Sequence, residues 1–234
     1  MRPPFVLVHS PSLGPASWAP LAAELRARGC QVAVPSLLGV AEGAPPVWPR
    51  VVDAVVRGTA DLPQDARVVF VVHSNAGLFV PVLIEGTKRP IAAVVFLDAS
   101  LPLPDDTPIA PPDFLAFLAG KADKDGLLPP WTGWWDAADV APLFPDDATR
   151  AAVQAEEPRL PLSYYTQILP APDIWEHVPA GYIVFSDTYA DAAAQARTRG
   201  WPVSELPGLH LHHLVQPAAV TDAVTAITDQ LTRP

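Results

Sequence analysis

The feature that most constrains the fold of this chain is an apolar run that leads into a serine without an intervening loop. Residues 68–77 read VVFVVHSNAG. The β-branched residues favour a strand, and the serine with small residues after it is typical of a nucleophile elbow, where a strand turns sharply into a helix and exposes one hydroxyl. The usual form is Gly-x-Ser-x-Gly, whereas here Val72 and Ala76 stand at the glycine positions and Gly77 follows. The run predicts a strand, a tight turn at Ser74 and a helix.

Short apolar runs alternate with helix-like segments along most of the chain. The predicted strands are 5–8, 31–34, 67–72, 92–97, 182–185 and 203–206, and the predicted helices are 18–28, 49–60, 76–84, 190–199 and 217–231. Strands that are apolar throughout, each followed by a helix, indicate a parallel sheet covered on both faces. We therefore predict an α/β fold with a mostly parallel sheet flanked by helices, and an active site at the carboxyl ends of the strands.

The interval 101–179 differs from the rest of the chain and interrupts this alternation. It holds 14 of the 30 prolines and four of the seven tryptophans. Segments this long in compact domains usually form lids or are disordered, and so many aromatic residues argue against disorder. We predict a core of residues 1–100 and 180–234 with an inserted Pro/Trp-rich cap at 101–179, called the cap segment below. A Pro-rich loop or a partner-docking surface is the alternative.

Composition and charge exclude several classes of function. The net charge is −10 and the basic residues are scattered, which argues against nucleic acid and anionic membranes as partners. Pro and charged residues interrupt every apolar stretch before the roughly 18 residues of a membrane span. The single cysteine, Cys30, excludes an internal disulfide and a Cys-based zinc site.

Further expectations concern localisation, cofactors and oligomeric state. The first predicted strand begins at Phe5 and leaves no room in this sequence for a signal peptide, so we expect a cytoplasmic protein. No dinucleotide fingerprint or metal-ligand spacing appears, so we expect neither a cofactor nor a metal. A monomer and a homodimer both stay open.

Two residues are candidates for nucleophilic chemistry. Ser74 is the candidate nucleophile, and since a serine hydroxyl is weak at its free pKa it needs an adjacent base; alternatively it closes a buried strand. His210 is the candidate base, because it follows the last predicted strand and precedes Pro217, which suits the first turn of the final helix. His212 and His213 are expected to face the lid or solvent. A metal cluster at these histidines lacks a local carboxylate or cysteine.

These motifs together resemble the α/β-hydrolase superfamily, and in particular its small, cofactor-free esterase-like members. The resemblance rests on residues 6–11 (VLVHSP) with Trp18, residues 73–77 (HSNAG) and residues 208–210 (GLH) with Pro217. They occur in the right order and spacing over nearly the whole chain, with the cap segment in its usual place. The resemblance implies a triad in the order Ser, acid, His.

Two carboxylates compete for the role of the acid. Many relatives carry it a few residues beyond the strand at 182–185, where this chain has Tyr189, and Asp187 and Asp191 are out of step. Some haloalkane-dehalogenase-like relatives take the acid from the preceding strand, which here ends at Asp98. We therefore predict that Asp98 orients His210, with Asp187 as the alternative. Asp98 could also simply brace the entry to the cap segment.

The oxyanion hole departs from the pattern of the family. It needs two backbone N–H groups, and the resemblance assigns one to Asn75. The second falls on Pro11, which has no N–H, and the loss of one such donor typically costs about 10²–10³ in rate. Either Ser10 or Ser12 substitutes, or the protein does not stabilise a tetrahedral oxyanion in the ordinary way.

Aromatic residues of the cap segment predict an apolar substrate pocket, unless they form the cap's own core. These residues are Trp131, Trp134, Trp135, Phe114, Phe117, Tyr164 and Tyr165. Arginines and Gly-rich phosphate loops are absent where an anion would bind. A small hydrophobic substrate is therefore expected.

The predicted function is a metal-free serine hydrolase acting on a small hydrophobic ester, thioester or lactone. Two alternatives stay open, because a fold does not decide a function. One is a lyase, cyclase or isomerase on the same scaffold that uses His210 as its base, which Pro11 and Val72 favour. The other is a catalytically inert ligand-binding homologue.

Overall fold

A six-stranded parallel sheet forms the centre of the computed structural model, which describes residues 2–233. The strand order is β2-β1-β3-β4-β7-β8. The strands are β1 (Phe5–Val8), β2 (Val32–Ala33), β3 (Val68–Ser74), β4 (Ile91–Ala99), β7 (Ala180–Val184) and β8 (Val203–Glu205). Two further strands, β5 (Thr107–Pro108) and β6 (Ile168–Leu169), form a separate antiparallel pair. The predicted α/β fold with a mostly parallel sheet is confirmed.

Five of the α-helices cover the sheet from both sides. Helices α1 (Ala19–Ala27) and α10 (Pro217–Thr232) pack together on one face, and α2 (Trp48–Gly58), α3 (Val80–Thr87) and α8 (Ala190–Thr198) lie on the other. A short helix, α9 (His212–Val215), precedes α10. None of the helices in residues 2–233 combines the length and the apolarity needed to cross a membrane.

The central strands are buried on both faces, as their uninterrupted apolar sequence predicts. In β1, Val6 and Val8 pack into the hydrophobic cluster under α2 and α3, whereas Phe5 and Leu7 pack into the cluster under α1 and α10. The same alternation continues along β3. Side chains of successive residues point to opposite faces of a sheet, so each strand contributes to both cores and holds its carboxyl end firmly in place.

The helix after Ser74 begins later than the predicted 76–84. Residues Asn75–Phe79 form a 3₁₀ turn, and α3 follows at Val80. Pro81 accounts for the delay, because it has no N–H to donate into the preceding turn and suits the start of an α-helix. Gly29 follows the C-cap of α1 with φ +77°, the left-handed conformation that commonly ends a helix and that glycine adopts without strain.

Short elements make up the cap segment. Its helices are α4 (Pro112–Ala119), α5 (Ala137–Val140), α6 (Asp147–Gln154) and α7 (Leu162–Tyr165), which have four to eight residues each. Within the described chain, residues 101–179 add no strand to the six-stranded sheet. The division into core and cap at residues 100 and 180 stays a prediction.

Candidate active site

Ser74 ends β3 at a sharply strained turn. Its φ of 57° and ψ of −131° lie in a region that non-glycine residues rarely adopt. The turn also needs a residue without a side chain nearby, because a Cβ on Gly77 would lie 2.1 Å from the carbonyl oxygen of Ser100. The close approach that glycine permits is therefore at Gly77, one residue later than in the usual motif.

Asp98 lies at the carboxyl end of β4, in the strand next to Ser74. Its side chain is fully buried and its φ is 42°. Oδ1 accepts hydrogen bonds from the backbone N–H groups of Phe185 (2.9 Å) and Ser186 (3.3 Å), and Oδ2 accepts one from Ser186 Oγ (3.2 Å). These donors satisfy a buried carboxylate that would otherwise be costly.

His210 meets this carboxylate from the loop after β8. Its Nδ1 lies 2.7 Å from Asp98 Oδ2. An ionised carboxylate only accepts hydrogen bonds, so we assign the proton of His210 to Nδ1, which leaves Nε2 with a free lone pair. The backbone carbonyl of His210 accepts a hydrogen bond from His73 Nε2 at 3.0 Å. The His210 loop is thus held at two points.

Asp187 does not reach His210. It lies exposed on a 3₁₀ turn, Asp187–Tyr189, that follows β7. The residue of this turn that enters the site is Tyr189. Its ring stacks on the ring of His210, with centroids 5.2 Å apart and planes 15° apart, and its hydroxyl lies 3.2 Å from Ser74 Oγ. In residues 2–233, this contact takes the place of a hydrogen bond between Ser74 Oγ and His210.

The expectation that His213 faces the lid or solvent is wrong. Its imidazole is fully buried, with ring centroids 4.8 Å from Trp18 and 4.6 Å from His73. Burial penalises the charged imidazole and lowers the pKa of His213 to about 3. His212 is half-buried, and its ring packs against Phe185. The reason for the error is that a short helix, α9, turns His213 inward.

A cavity of about 480 Å³ opens above Ser74 and His210. Its lining includes the three predicted tryptophans, Trp131, Trp134 and Trp135. The other residues of the lining are Asn75, Ser100, Ile109, Pro111, Phe114, Asp139, Leu143, Tyr165, Ser186, Thr188, Tyr189 and Leu209. The walls are mainly aromatic and aliphatic, which suits an apolar ligand with a few polar groups to orient it.

Two residues predicted for this pocket lie outside its lining. Phe117 is on the outer side of the cap segment, where it stacks on Trp135 with centroids 5.3 Å apart. Tyr164 is buried under the cavity and donates a hydrogen bond to Asn75 Oδ1 at 2.6 Å. On α7, the adjacent Tyr164 and Tyr165 point in different directions, with ring planes 89° apart. On α4, Phe117 stacks on Phe114 and lies farther from the cavity.

The residues named for the oxyanion hole separate into two groups. Asn75 begins the 3₁₀ turn after Ser74, where backbone N–H groups have no partner within the helix. Pro11 and Ser10 are not in the cavity lining, and Pro11 instead lines a different groove beside Leu37. The carbonyl of Ser10 accepts hydrogen bonds from His9 Nδ1 (2.8 Å) and the Leu13 N–H (2.9 Å).

The remaining serine of this loop is also engaged. Ser12 Oγ lies 2.7 Å from the hydroxyl of Tyr165, and its backbone N–H points at Ser10 Oγ over a long 3.4 Å. The Ser10 carbonyl and the Ser12 hydroxyl are therefore already in hydrogen bonds, and neither serine is in the cavity lining.

Sequence reasoning did not include Tyr189 in the site. The sequence does contain one indication that Tyr189 lies in the site, because it occupies the position where many relatives carry the acid. Its burial raises the pKa of the phenol to about 12, so the hydroxyl keeps its proton at neutral pH.

The chain belongs to the alpha/beta hydrolase family, whose pattern matches residues 5–223. The order of the strands and the turn at Ser74 are those expected of such a protein. A comparison with curated protein sequences gave no match.

Solved structures share this fold over their full length. An extracellular alpha/beta-hydrolase from a Paenibacillus species is 18% identical with a TM-score of 0.72, covering 98% of this chain and 99% of that one. Tomato methylketone synthase I, solved with 2-tridecanone, is 19% identical with a TM-score of 0.73 and 99% coverage of both chains. A pyrethroid hydrolase is 17% identical with a TM-score of 0.68 and 99% coverage of both. At these identities the likeness shows the fold alone.

Proposed function

We propose that this protein is a serine hydrolase that cleaves small hydrophobic carboxylic esters, thioesters or lactones. The observation that carries the proposal is the 2.7 Å hydrogen bond between His210 Nδ1 and Asp98 Oδ2 beside the strained turn at Ser74. Ser74 and Asp98 lie at the carboxyl ends of the neighbouring strands β3 and β4, and His210 lies on the loop after β8 at the same edge of the sheet. Family membership and the hydrolases among the structural neighbours support the same reaction class.

In the proposed reaction, Ser74 Oγ attacks the substrate carbonyl and its proton passes to His210 Nε2. Asp98 keeps His210 in the required tautomer and stabilises the imidazolium that forms. The N–H of Asn75 donates to the oxyanion. The C–O, or C–S, bond then breaks, and His210 returns the proton to the leaving group. A water molecule releases the acyl group by the same steps, which restores the Ser74 hydroxyl.

Ser74 and His210 need a small rearrangement before this reaction. Ser74 Oγ contacts Tyr189 rather than His210 in the structure. Catalytic hydrogen bonds are often long or poorly aligned without substrate and tighten in the complex. The aromatic cavity supports a hydrophobic acyl group. Among the described residues that line it, Asp139 is the one acidic side chain, and none is a lysine or arginine that could bind an anion.

The test is the Ser74→Ala variant assayed with p-nitrophenyl butyrate. We expect kcat/KM to fall by at least about 10³-fold. The control is Ser163→Ala, which removes an exposed hydroxyl on α7 outside the cavity lining and is expected to keep full activity. Full turnover by Ser74→Ala would refute the proposal.

A second candidate is a non-hydrolytic enzyme that uses His210 as a base on an apolar substrate. Two observations favour it: Pro11 supplies no N–H, and Ser74 Oγ is hydrogen-bonded to Tyr189. A serine-directed fluorophosphonate separates the two candidates. An adduct at Ser74 supports the hydrolase, and a wild-type protein that forms none supports the non-hydrolytic enzyme.

A further inference from the structure

The position of Tyr189 relative to the sheet decides which reacting atom it can reach. Ser74 ends β3, and β1 lies on one side of β3 while β4 and β7 lie on the other. The loop after β1, with Pro11, is therefore on one side of Ser74. Asp98 at the end of β4 and Tyr189 after β7 are on the opposite side, where His210 stacks on Tyr189.

A serine hydrolase uses these two sides for different atoms. The oxyanion faces the backbone N–H groups, and the leaving group faces the histidine that will protonate it. Tyr189 lies beside His210, and its hydroxyl is 3.2 Å from Ser74 Oγ. A donor at that distance from Oγ is within reach of the substituents of a carbon bonded to Oγ. On this side of Ser74, that substituent is the leaving oxygen.

The phenol is suited to donate rather than to accept a proton. Burial holds its pKa near 12, so it keeps its O–H while His210 changes its charge. The Asp98 carboxylate is occupied by His210, Phe185 and Ser186. The hydroxyl of Tyr189 instead contacts the side chains of Ser74 and Ser100, which both line the cavity. The cavity lining includes Tyr189.

We propose that Tyr189 is a catalytic residue that donates a hydrogen bond to the leaving oxygen, and that the substrates are esters of aliphatic alcohols. The inference rests on the proposed hydrolase function. As the bond between the acyl carbon and the leaving oxygen breaks, its electron pair stays on that oxygen. His210 Nε2 delivers the proton that neutralises it, and Tyr189 shares the charge while keeping its own proton.

The class of alcohol in the substrate follows from which leaving groups need a second hydrogen-bond donor. An aliphatic alkoxide is a strong base and leaves poorly, so a second donor beside His210 lowers the barrier. A p-nitrophenolate or a thiolate is a weaker base and leaves with little assistance. A buried phenol next to the general acid is therefore most useful for alkyl esters.

The experiment compares Tyr189→Phe with the wild-type protein on ethyl butyrate and p-nitrophenyl butyrate, which share one acyl group. Phenylalanine keeps the ring that stacks on His210 and removes only the hydroxyl. We expect kcat/KM to fall about 100-fold for the ethyl ester and less than about threefold for the p-nitrophenyl ester. Asp187→Asn, an exposed change on the same turn, is the control and is expected to alter neither rate.

Labelling by a fluorophosphonate shows that the Tyr189→Phe variant is folded and that its nucleophile is intact. Fluoride leaves without assistance, so the variant is expected to be labelled at close to the wild-type rate. A strong loss of labelling, or equal losses on the two esters, would assign Tyr189 to positioning and overturn the proposal. Equal activity of variant and wild type on ethyl butyrate would also overturn it.

The outcomes for Tyr189 are separable from those for the proposed function. A wild-type protein that hydrolyses neither ester and forms no adduct at Ser74 rejects the hydrolase, and the role of Tyr189 with it. A wild-type protein that hydrolyses both esters, with no difference between them in the variant, rejects Tyr189 alone.

Discussion

The core and the cap segment contribute to the same cavity through different kinds of structure. Ser74 and Asp98 lie at the carboxyl ends of strands that are buried except at Ser74 itself and at Ile91, the first residue of β4. The tryptophans of the cavity wall lie on short helices and loops, and polar contacts tie the cap segment to the core. Among these are Tyr164–Asn75 (2.6 Å), Tyr165–Ser12 (2.7 Å), Glu156–Ala16 (2.7 Å) and Gln167–Val47 (2.7 Å).

The core and the cap segment are therefore expected to have different roles in the reaction. Strand ends deep in the sheet hold reacting atoms to a fixed geometry, because neighbouring strands and both hydrophobic clusters restrain them. Short helices joined by hydrogen bonds adapt more easily to a ligand. Changes in the core should therefore affect rate or folding, whereas changes in the cap wall should affect substrate binding.

The largest effect is expected from the Asp98→Asn variant. Asparagine also tolerates positive φ, so the fold should persist while the orientation and charge stabilisation of His210 are lost. We expect kcat to fall by about 10³–10⁴-fold, measured with p-nitrophenyl butyrate. Asp187→Asn is the matched control, and a loss of activity there with an active Asp98→Asn would make Asp187 the acid.

Glycine substitutions compare the packing of the two regions. In Gly77→Ala the new methyl group would meet the Ser100 carbonyl at 2.1 Å, and we expect unfolding free energy to fall by at least about 3 kcal/mol. Gly120→Ala, at the end of α4, has φ −69° and meets no atom closer than 3.4 Å. That change should stabilise slightly, by about 0.5 kcal/mol. Urea unfolding measures both, and equal effects would remove the contrast.

Two adjacent tryptophans of the cap segment, Trp134 and Trp135, are expected to differ in whether they stabilise the fold or bind substrate. Trp134 is 4% exposed and donates from Nε1 to the Pro129 carbonyl at 2.8 Å, whereas Trp135 is 42% exposed. Trp134→Ala should cost about 3 kcal/mol of stability. Trp135→Ala should leave stability nearly unchanged and raise KM for butyrate esters about threefold to tenfold. Thermal unfolding with steady-state kinetics separates them, and an unchanged KM in Trp135→Ala would contradict a role in the wall.

The pH dependence of stability is expected to have opposite signs in the two regions. Burial lowers the pKa of His9 to about 4 and of His213 to about 3, from 6.5. These histidines bind a proton less readily in the folded protein than in the unfolded chain. Their contribution to the free energy of unfolding is therefore complete above pH 6.5 and decreases as the pH falls. The loss is up to about 1.4 kcal/mol per pH unit for each histidine.

Glu157 in the cap segment behaves in the opposite way. Burial raises the pKa of its carboxyl, so its contribution is present below the ordinary value of 4.5 and is lost as the pH rises. The midpoints of urea unfolding at pH 7 and pH 5 measure the combined effect of the buried histidines and Glu157. His213→Phe should flatten the decrease toward acid, and Glu157→Gln should not. A midpoint that is independent of pH in the wild type would refute the assignment to buried histidines.

A small effect is expected from Tyr164→Phe, which removes one contact between the regions. The hydroxyl donates to Asn75 Oδ1, and its loss should cost about 1 kcal/mol because the amide oxygen loses its partner. The change is outside the cavity lining, so KM should hardly move. A large rise in KM would show that this contact holds the cap wall in place.

Most of the fold could be predicted from local patterns in the sequence. The strand at Phe5–Val8 was predicted with its observed bounds, because a short uninterrupted apolar run is typical of a strand buried on both faces of a sheet. The helix after Ser74 was predicted too early, since the effect of Pro81 depends on how the preceding turn closes. His213 was misplaced because its orientation depends on which side of α9 faces Trp18.

The residues of the candidate site could likewise be predicted only in part. Ser74 and Asp98 could be proposed because each follows a strong strand pattern. The choice between Asp98 and Asp187 could not be made from sequence with the same force, since both lie near strand ends. The role of Tyr189 was missed because side-chain contact, rather than residue type, brings a tyrosine into the site.

By itself, the sequence determined the parallel sheet, the strained turn at Ser74 and the apolar character of the cap segment, because these depend on neighbouring residues. Tertiary structure alone decided which carboxylate meets His210 and which hydroxyl meets Ser74. The partners are 112 residues apart for Asp98 and His210 and 115 apart for Ser74 and Tyr189. Contacts over such separations are set by the order of the strands and the path of the loops, which no local pattern encodes.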